Sequence, residues 1–316
     1  MQGPTPWNVL VVTLDGLTHE QLQGEDCRNL TILAESTHYA NAYSVRPDPR
    51  MALECIWTGD SAGLAAGVRS LPKHAHKFGI VTGALLAAPT EEFDPDLLVE
   101  FTRVDPMPLD EPVAQSLGDA MATWLDHAKS IQMGSWLLWM HGRVGPEGPG
   151  ALIARLEAEI ARAGVERDTL VVFAGMPRPE LDGHVPLTVY TPRAGLQHVT
   201  ETVGLQDLAP TLAERLSQRL LAPVVAEQGG DGVSVAAAML GLPVDRDPVL
   251  VTGLEPDGAT LEVRDEDYLY RWSPGDVLGQ LIAFPDEDST EQRELALERL
   301  HSVAFTDEAP APTTAE

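Results

Sequence analysis

The side chains in this sequence that could do chemistry are few, and their positions matter more than their number. Asp15 closes a continuous apolar run, Asn8 to Leu14 (NVLVVTL), and is followed by Gly16. A carboxylate at the end of such a strand stands at the crevice edge where α/β sheets bind ligands. The same Asp-Gly pair also suits a plain turn in which the aspartate caps the backbone from Leu17 onward. Asp48 precedes Pro49. A carboxylate there can attack as a nucleophile, but an aspartate before a proline at the first helical position is foremost a helix cap.

Two more histidines complete the candidate set. His141 follows the run Ser135–Met140 (SWLLWM), and His184 stands in a loop just before Val185. Either could move a proton, although a lone loop histidine is ordinarily solvated. His74 and His76 lie two residues apart, a spacing that sends them to different faces of a helix and marks them as surface residues. Trp136 and Trp139 are expected in the core. Cys27 and Cys55, the two cysteines, are too few for a secreted disulfide framework and are expected as reduced, packed thiols. The sequence contains no phosphate loop, no G-x-G-x-x-G after a strand, no G-x-S-x-G elbow and no zinc-type Cys or His spacing.

The elements that must position these residues are strands and helices in alternation. Val-rich and Leu-rich runs at Asn8–Leu14, Gly79–Leu86, Ser135–Met140, Thr169–Phe173 and Val185–Tyr190 fit strands buried on both faces. Between them, Asn29–Ser36 predicts a short helix. Val113–His127 and Ala151–Ala163 show apolar positions at three- and four-residue spacing. The fold class is therefore α/β, with a mainly parallel central sheet flanked by helices and right-handed crossovers. Residues 1–241 form this core. Residues 242–305 add a small antiparallel element, with strands at Pro248–Thr252, Ala259–Arg264 and Tyr268–Trp272 and a helix at Thr290–Leu300. The Pro-, Ala- and acid-rich stretch 306–316 is expected to be a disordered tail.

Charge narrows the functional classes. Asp and Glu total 48 against 21 Lys and Arg, a net charge of −27 in 316 residues. Such a chain is repelled by phosphate backbones and anionic lipid, so neither nucleic acid nor membrane is an expected partner. No apolar stretch approaches the ~20 residues of a membrane helix, and the first residues lack the features of a secretory leader. The expected location is cytoplasmic.

A series of phrases in order resembles the sulfatase branch of the alkaline-phosphatase superfamily. NVLVVTLDGL at 8–17 and NLTILAESTHYANAYSV at 29–45 are similar to that family's first strand, metal aspartate, helix and F-x-N-A-Y phrase. Trp57-Thr58-Gly59 matches the Leu-Thr-Gly after the nucleophile helix. SWLLWMHG, DTLVVFAG and HVPLTVYTPR resemble three further strands. VGLQDLAPTLAERL and DGVSVAAAMLG match its D-x-x-P-T-L helix and D-G-x-S-L phrase. The resemblance runs to about residue 300 and implies the same α/β fold.

The resemblance also implies a site, and the sequence departs from it. It would make Asp15 the first metal carboxylate, here vestigial, with Gly16 where many relatives carry a second. Counting back from Gly59 places Pro49 where the nucleophile belongs. Gly175 and Met176 occupy the Asp-His pair of the second metal half, and a thioether is a poor ligand for a hard cation. Asp48, His141 and His184 remain as remnant candidates for catalysis. These departures imply a degenerate sulfatase-like chain, a pseudoenzyme with a binding or assembly role, an unidentified protein partner and no cofactor. The alternative is a divergent sulfo- or phosphoester hydrolase with a rearranged site holding one divalent metal such as calcium or magnesium. A third reading, an unrelated α/β protein, turns on the strand order of the sheet.

Overall fold

The structure is a computed structural model, and it describes residues 8–66, 69–108, 112–131, 133–178, 183–217, 232–242, 249–252, 261–264, 268–272, 280–283, 292–293, 295–297 and 299–300. Its centre is β1 (Asn8–Asp15), whose first seven residues are all buried. Alternate side chains of β1 enter two different cores. Val9 and Val11 join one apolar cluster, while Leu10, Val12 and Leu14 join the other. A strand covered on both faces cannot alternate apolar with polar, and this is why NVLVVTL is continuous.

Around β1 the chain lays down β2 (Ser36–Tyr39), β3 (Ala42–Tyr43), β4 (Val81–Leu86), β5 (Arg103–Pro106), β6 (Trp136–Arg143), β7 (Thr169–Gly175), β8 (Leu187–Tyr190) and β9 (Gln197–Val199). Eight strands form the main sheet in the order β5-β4-β6-β1-β7-β8-β2-β9. All run parallel except β8, which is antiparallel to both its neighbours. The mainly parallel sheet is thus as expected, and the non-sequential order rests on crossovers through helices.

The helices are α1 (His19–Gln23), α2 (Glu25–Arg28), α3 (Thr31–Ala34), α4 (Pro49–Thr58), α5 (Leu71–Lys77), α6 (Pro95–Leu98), α7 (Val113–Ser130), α8 (Gly148–Ala163) and, after β10 (Val203–Gly204), α9 (Leu208–Ser217). Buried residues of α4, α5 and α9, with Trp57 and Trp139, fill one side of the sheet. Those of α7 and α8, with Trp124 and Trp136, fill the other. On their outer faces α7 and α8 are tied by Arg155–Asp119 at 2.9 Å and Arg162–Asp126 at 2.8 Å. Both cysteines are free and buried, as expected. His74 corrects its expectation: it is buried, on the face of α5 that carries Leu71 and Ala75 into the core. Its neighbour His76 is exposed.

A second sheet of four antiparallel strands, β11 (Val249–Thr252), β12 (Leu261–Arg264), β13 (Tyr268–Trp272) and β14 (Gln280–Ala283), follows in sequence order. Three of its strands were legible in the sequence and β14 was not. The tail at 306–316 lies outside the described residues. No helix among the described residues is long and apolar enough to cross a membrane.

The loop into α9 shows how a buried carboxylate holds the core layer. Asp207 is 1% exposed and accepts the Gly204 N–H at 2.7 Å and the Val233 N–H at 2.9 Å. One turn later Thr211 Oγ1 accepts the Val235 N–H at 2.9 Å. Asp207→Ala strands two backbone donors, so we expect a loss of about 2–4 kcal/mol in denaturant unfolding, with Asp207→Asn losing less. Equal stability of the alanine variant and the parent would contradict this role.

Candidate functional site

The parallel register sets Asp15 opposite Arg143, one strand over, and Thr13 opposite His141. Residues two apart on a strand share a face, so Thr13 and Asp15 of β1 stand beside Trp139, His141 and Arg143 of β6. These five side chains lie at the carboxyl end of the sheet, at the crevice edge anticipated for Asp15.

The interior of the group is a chain of hydrogen bonds. Trp139 Nε1–H donates to Thr13 Oγ1 at 2.8 Å, and Thr13 Oγ1 lies 2.8 Å from His141 Nδ1. The other acceptor in reach of the hydroxyl is the Met140 carbonyl, at a long 3.5 Å. Thr13 Oγ1 therefore has two acceptors in reach for its hydrogen, the Met140 carbonyl and Nδ1, and the ring tautomer selects between them. The other ring nitrogen, Nε2, faces Asp15, with Oδ2 3.9 Å away, beyond hydrogen-bond range. His141 is 2% exposed and packs edge-on against Phe93. Burial, aided by the nearby Arg143 charge, pushes its pKa down from 6.5 to about 3, so the ring is neutral at physiological pH.

Asp15 does not cap the turn, as the plain-turn reading has it. Thr18 takes that role, with a capping box closed by Gln21, and the buried Oδ1 of Asp15 has no hydrogen-bond partner among the described residues. Burial raises the pKa of the Asp15 carboxyl and Glu92 raises it further, against the lowering effect of Arg143 and Arg178. Two cavities meet at this residue. One, of about 420 Å³, is lined by Gly16, Gln21, Pro49, Arg143, Met176 and Arg178 among others. The second, about 280 Å³, adds Ala88, Glu92 and Val113. Arg178 donates to the Gly16 carbonyl at 3.3 Å. Among the described residues neither Arg143 nor Arg178 forms an ion pair.

The other candidates divide. Pro49 borders the Asp15 cavity, where it brings a ring and no nucleophile. Asp48 is the α4 cap, accepting the Met51 N–H at 3.0 Å. His184 is not among the residues lining either cavity at Asp15. It is not a solvated loop histidine either: it stacks on His19 with centroids 4.5 Å apart, and its Nε2 lies 2.8 Å from the Ala40 carbonyl. Arg143, Arg178 and Thr13 were missed by the sequence reading. The period of two along β1 and β6 was the available signal for Thr13 and Arg143, hidden because the runs were taken as uniformly apolar.

The residues present do not fit a divalent metal of the kind the resemblance implies. Asp15 supplies one carboxylate and is flanked by two guanidinium groups. Gly175 is moulded to its place: a Cβ there would lie 2.6 Å from two ring atoms of Pro186 and 3.3 Å from the Leu17 carbonyl oxygen. Gly16 has φ +82°, a conformation that disfavours any acidic replacement. Among the described residues no group of three His, Cys, Asp or Glu side chains is placed to hold a metal ion, whereas calcium and magnesium require six or more oxygens.

The neutral His141 has a consequence in pH. Its folded pKa of about 3 lies below the ordinary 6.5, so the unfolded chain takes up the proton first and stability is lost as pH falls through that window. Asp15, whose pKa is raised, works in the opposite direction, so the informative quantity is the difference between parent and His141→Asn. We expect the parent to lose more stability on acidification than the variant. His141 ring resonances should also keep their neutral positions between about pH 8 and 5. A midpoint near 6.5 in those resonances would overturn the assignment.

No family model matches the sequence, and no curated protein matches it. Solved structures do. The PsFucS1 sulfatase from Pseudoalteromonas sp. superposes with a TM-score of 0.68 at 14% identity, covering 96% of this chain and 89% of that one. The phosphonate monoester hydrolase SpPMH from Silicibacter pomeroyi gives 0.66 at 14% identity, covering 96% of each. A protein in the alkaline phosphatase superfamily from Vibrio parahaemolyticus gives 0.63 at 13%, covering 96% and 88%. At such identities the likeness is one of fold, and the fold is the sulfatase and alkaline-phosphatase type.

Proposed function

We propose that this chain binds a sulfo- or phosphoester in the crevice at the carboxyl ends of β1 and β6, without the metal-assisted hydrolysis implied by the resemblance. The observation that carries the reading is charge. In a sequence with 48 acidic and 21 basic residues, Arg143 and Arg178 line one cavity and have no carboxylate paired with them among the described residues. Guanidinium forks match the oxygens of such an ester. The raised pKa of Asp15 eases the approach of an anion, and its unpartnered Oδ1 is an acceptor for a hydroxyl of the ligand. Neither nucleic acid nor a membrane surface is the ligand of this reading, because the charge of −27 repels both. A cytoplasmic location belongs to the same proposal.

The second reading is a divergent ester hydrolase. It is supported by the neighbours themselves, which include a sulfatase and a phosphonate monoester hydrolase, and by the retention of Asp15 and His141 at strand ends. It needs a nucleophile, and no hydroxyl or thiol side chain is among the residues lining the two cavities at Asp15.

Calorimetry with phenyl phosphate and 4-nitrophenyl sulfate in chelator separates the two. Binding should be saturable without metal and fall roughly tenfold or more in Arg143→Ala/Arg178→Ala, as expected for losing charged partners, with no turnover above a buffer blank. Turnover that requires a divalent metal and disappears in Asp15→Asn would establish the hydrolase instead. No binding of either ester would remove the proposal altogether.

A further inference from the structure

A second cavity, with no residue in common with the two at Asp15, lies under α1, α2 and α3 on the β8-β2-β9 end of the main sheet. It is the larger space, about 550 Å³ against about 420 and 280 Å³. Helix α1 is the partition: Gln21 lines the Asp15 cavity, while His19, Leu22 and Gln23 line this one.

Its chemistry is unlike the rest of the molecule. None of its lining residues is acidic, although 48 of 316 residues are, and the cavities at Asp15 and beside β5 each carry a carboxylate. In place of acids it has Arg28 and three histidines, His19, His38 and His198. Arg28 is held by a bond from Nε to the Gln23 carbonyl at 2.9 Å and forms no ion pair among the described residues. Register places Thr188, His38 and His198 in one row across three strands. The two imidazoles stack at 5.7 Å, and Thr188 Oγ1 lies 3.2 Å from His38 Nδ1. The buried Nε2 of His19 has no hydrogen-bond partner among the described residues. Of the other lining residues, Leu22, Cys27, Leu33, Tyr39 and Leu187 are buried, Gln23 is polar, and Leu196 is half exposed.

An apolar wall joined to the Arg28 guanidinium, with no lining carboxylate in a strongly acidic chain, selects one class of ligand. We propose that this cavity is a binding site for a small amphipathic organic anion, an aromatic or acyl body with a single acid group. The body lies against the leucines and the His38–His198 pair, and the acid group faces Arg28. The site is independent of the ester crevice and does not rest on the function proposed for it.

The test uses 1-anilinonaphthalene-8-sulfonate as the anionic probe and N-phenyl-1-naphthylamine as its neutral counterpart, both read by fluorescence. Leu196→Glu adds a carboxylate at an exposed position, so folding is not at stake. Arg28→Ala removes the cation. The parent should bind the sulfonate saturably. Either variant should weaken it roughly tenfold while changing affinity for the neutral probe less than about twofold. Arg143→Ala should leave both affinities as they are. The proposal fails if the sulfonate does not saturate, if Leu196→Glu leaves its affinity unaltered, if the neutral probe is lost equally, or if Arg143→Ala abolishes binding.

Discussion

The hydroxyl of Thr13 is the point on which the crevice depends. It lies inside a sheet covered on both faces, where an unsatisfied polar group is costly, and it satisfies two rings at once. It accepts from Trp139 and serves His141, each at 2.8 Å. Through this contact β1 and β6 are locked in side-chain orientation as well as in backbone register. Nε2 of His141 faces Asp15, and Arg143 is brought level with Asp15 at the rim. The aromatic packing of Trp57, Phe93 and Phe101 on Trp139 makes the arrangement rigid and dry. Dryness in turn keeps His141 neutral.

Much of the fold was legible because long buried strands have a simple signature. The runs at 8–14, 135–140 and 169–173 became β1, β6 and β7, and the patterns at 113–127 and 151–163 became α7 and α8. The elements that were missed are short or exposed. β5 ends in Pro106, β9 has three residues, and β2 was hidden in a stretch taken as helix and loop. Such segments are strands because a neighbour pairs with them, and single-sequence patterns carry little of that information.

The site was legible in its landmarks but not in its meaning. With His141 buried on the Asp15 face of the sheet, Asp15, Pro49 and Met176 line one cavity. His184 does not, because its place is decided by the short antiparallel approach to β8 and by its stack on His19, which are contacts distant in sequence. Arg178 could not be assigned from sequence at all, since its partner is a backbone carbonyl at Gly16. The packing of Gly175 against Pro186 gives a physical reason for treating the missing acidic residue as part of the architecture. The space that a carboxylate would need is filled by a ring, and the positive charge of two arginines stands where a cation would otherwise be gathered.

The most direct test of that account is a crystal of the protein soaked with phenyl phosphate and manganese together, with manganese located by its anomalous scattering. The account predicts phosphate oxygens on Arg143 and Arg178 and no manganese at Asp15. Manganese bound to Asp15, with the phosphate coordinated to it, would contradict the account and restore the metal-dependent hydrolase.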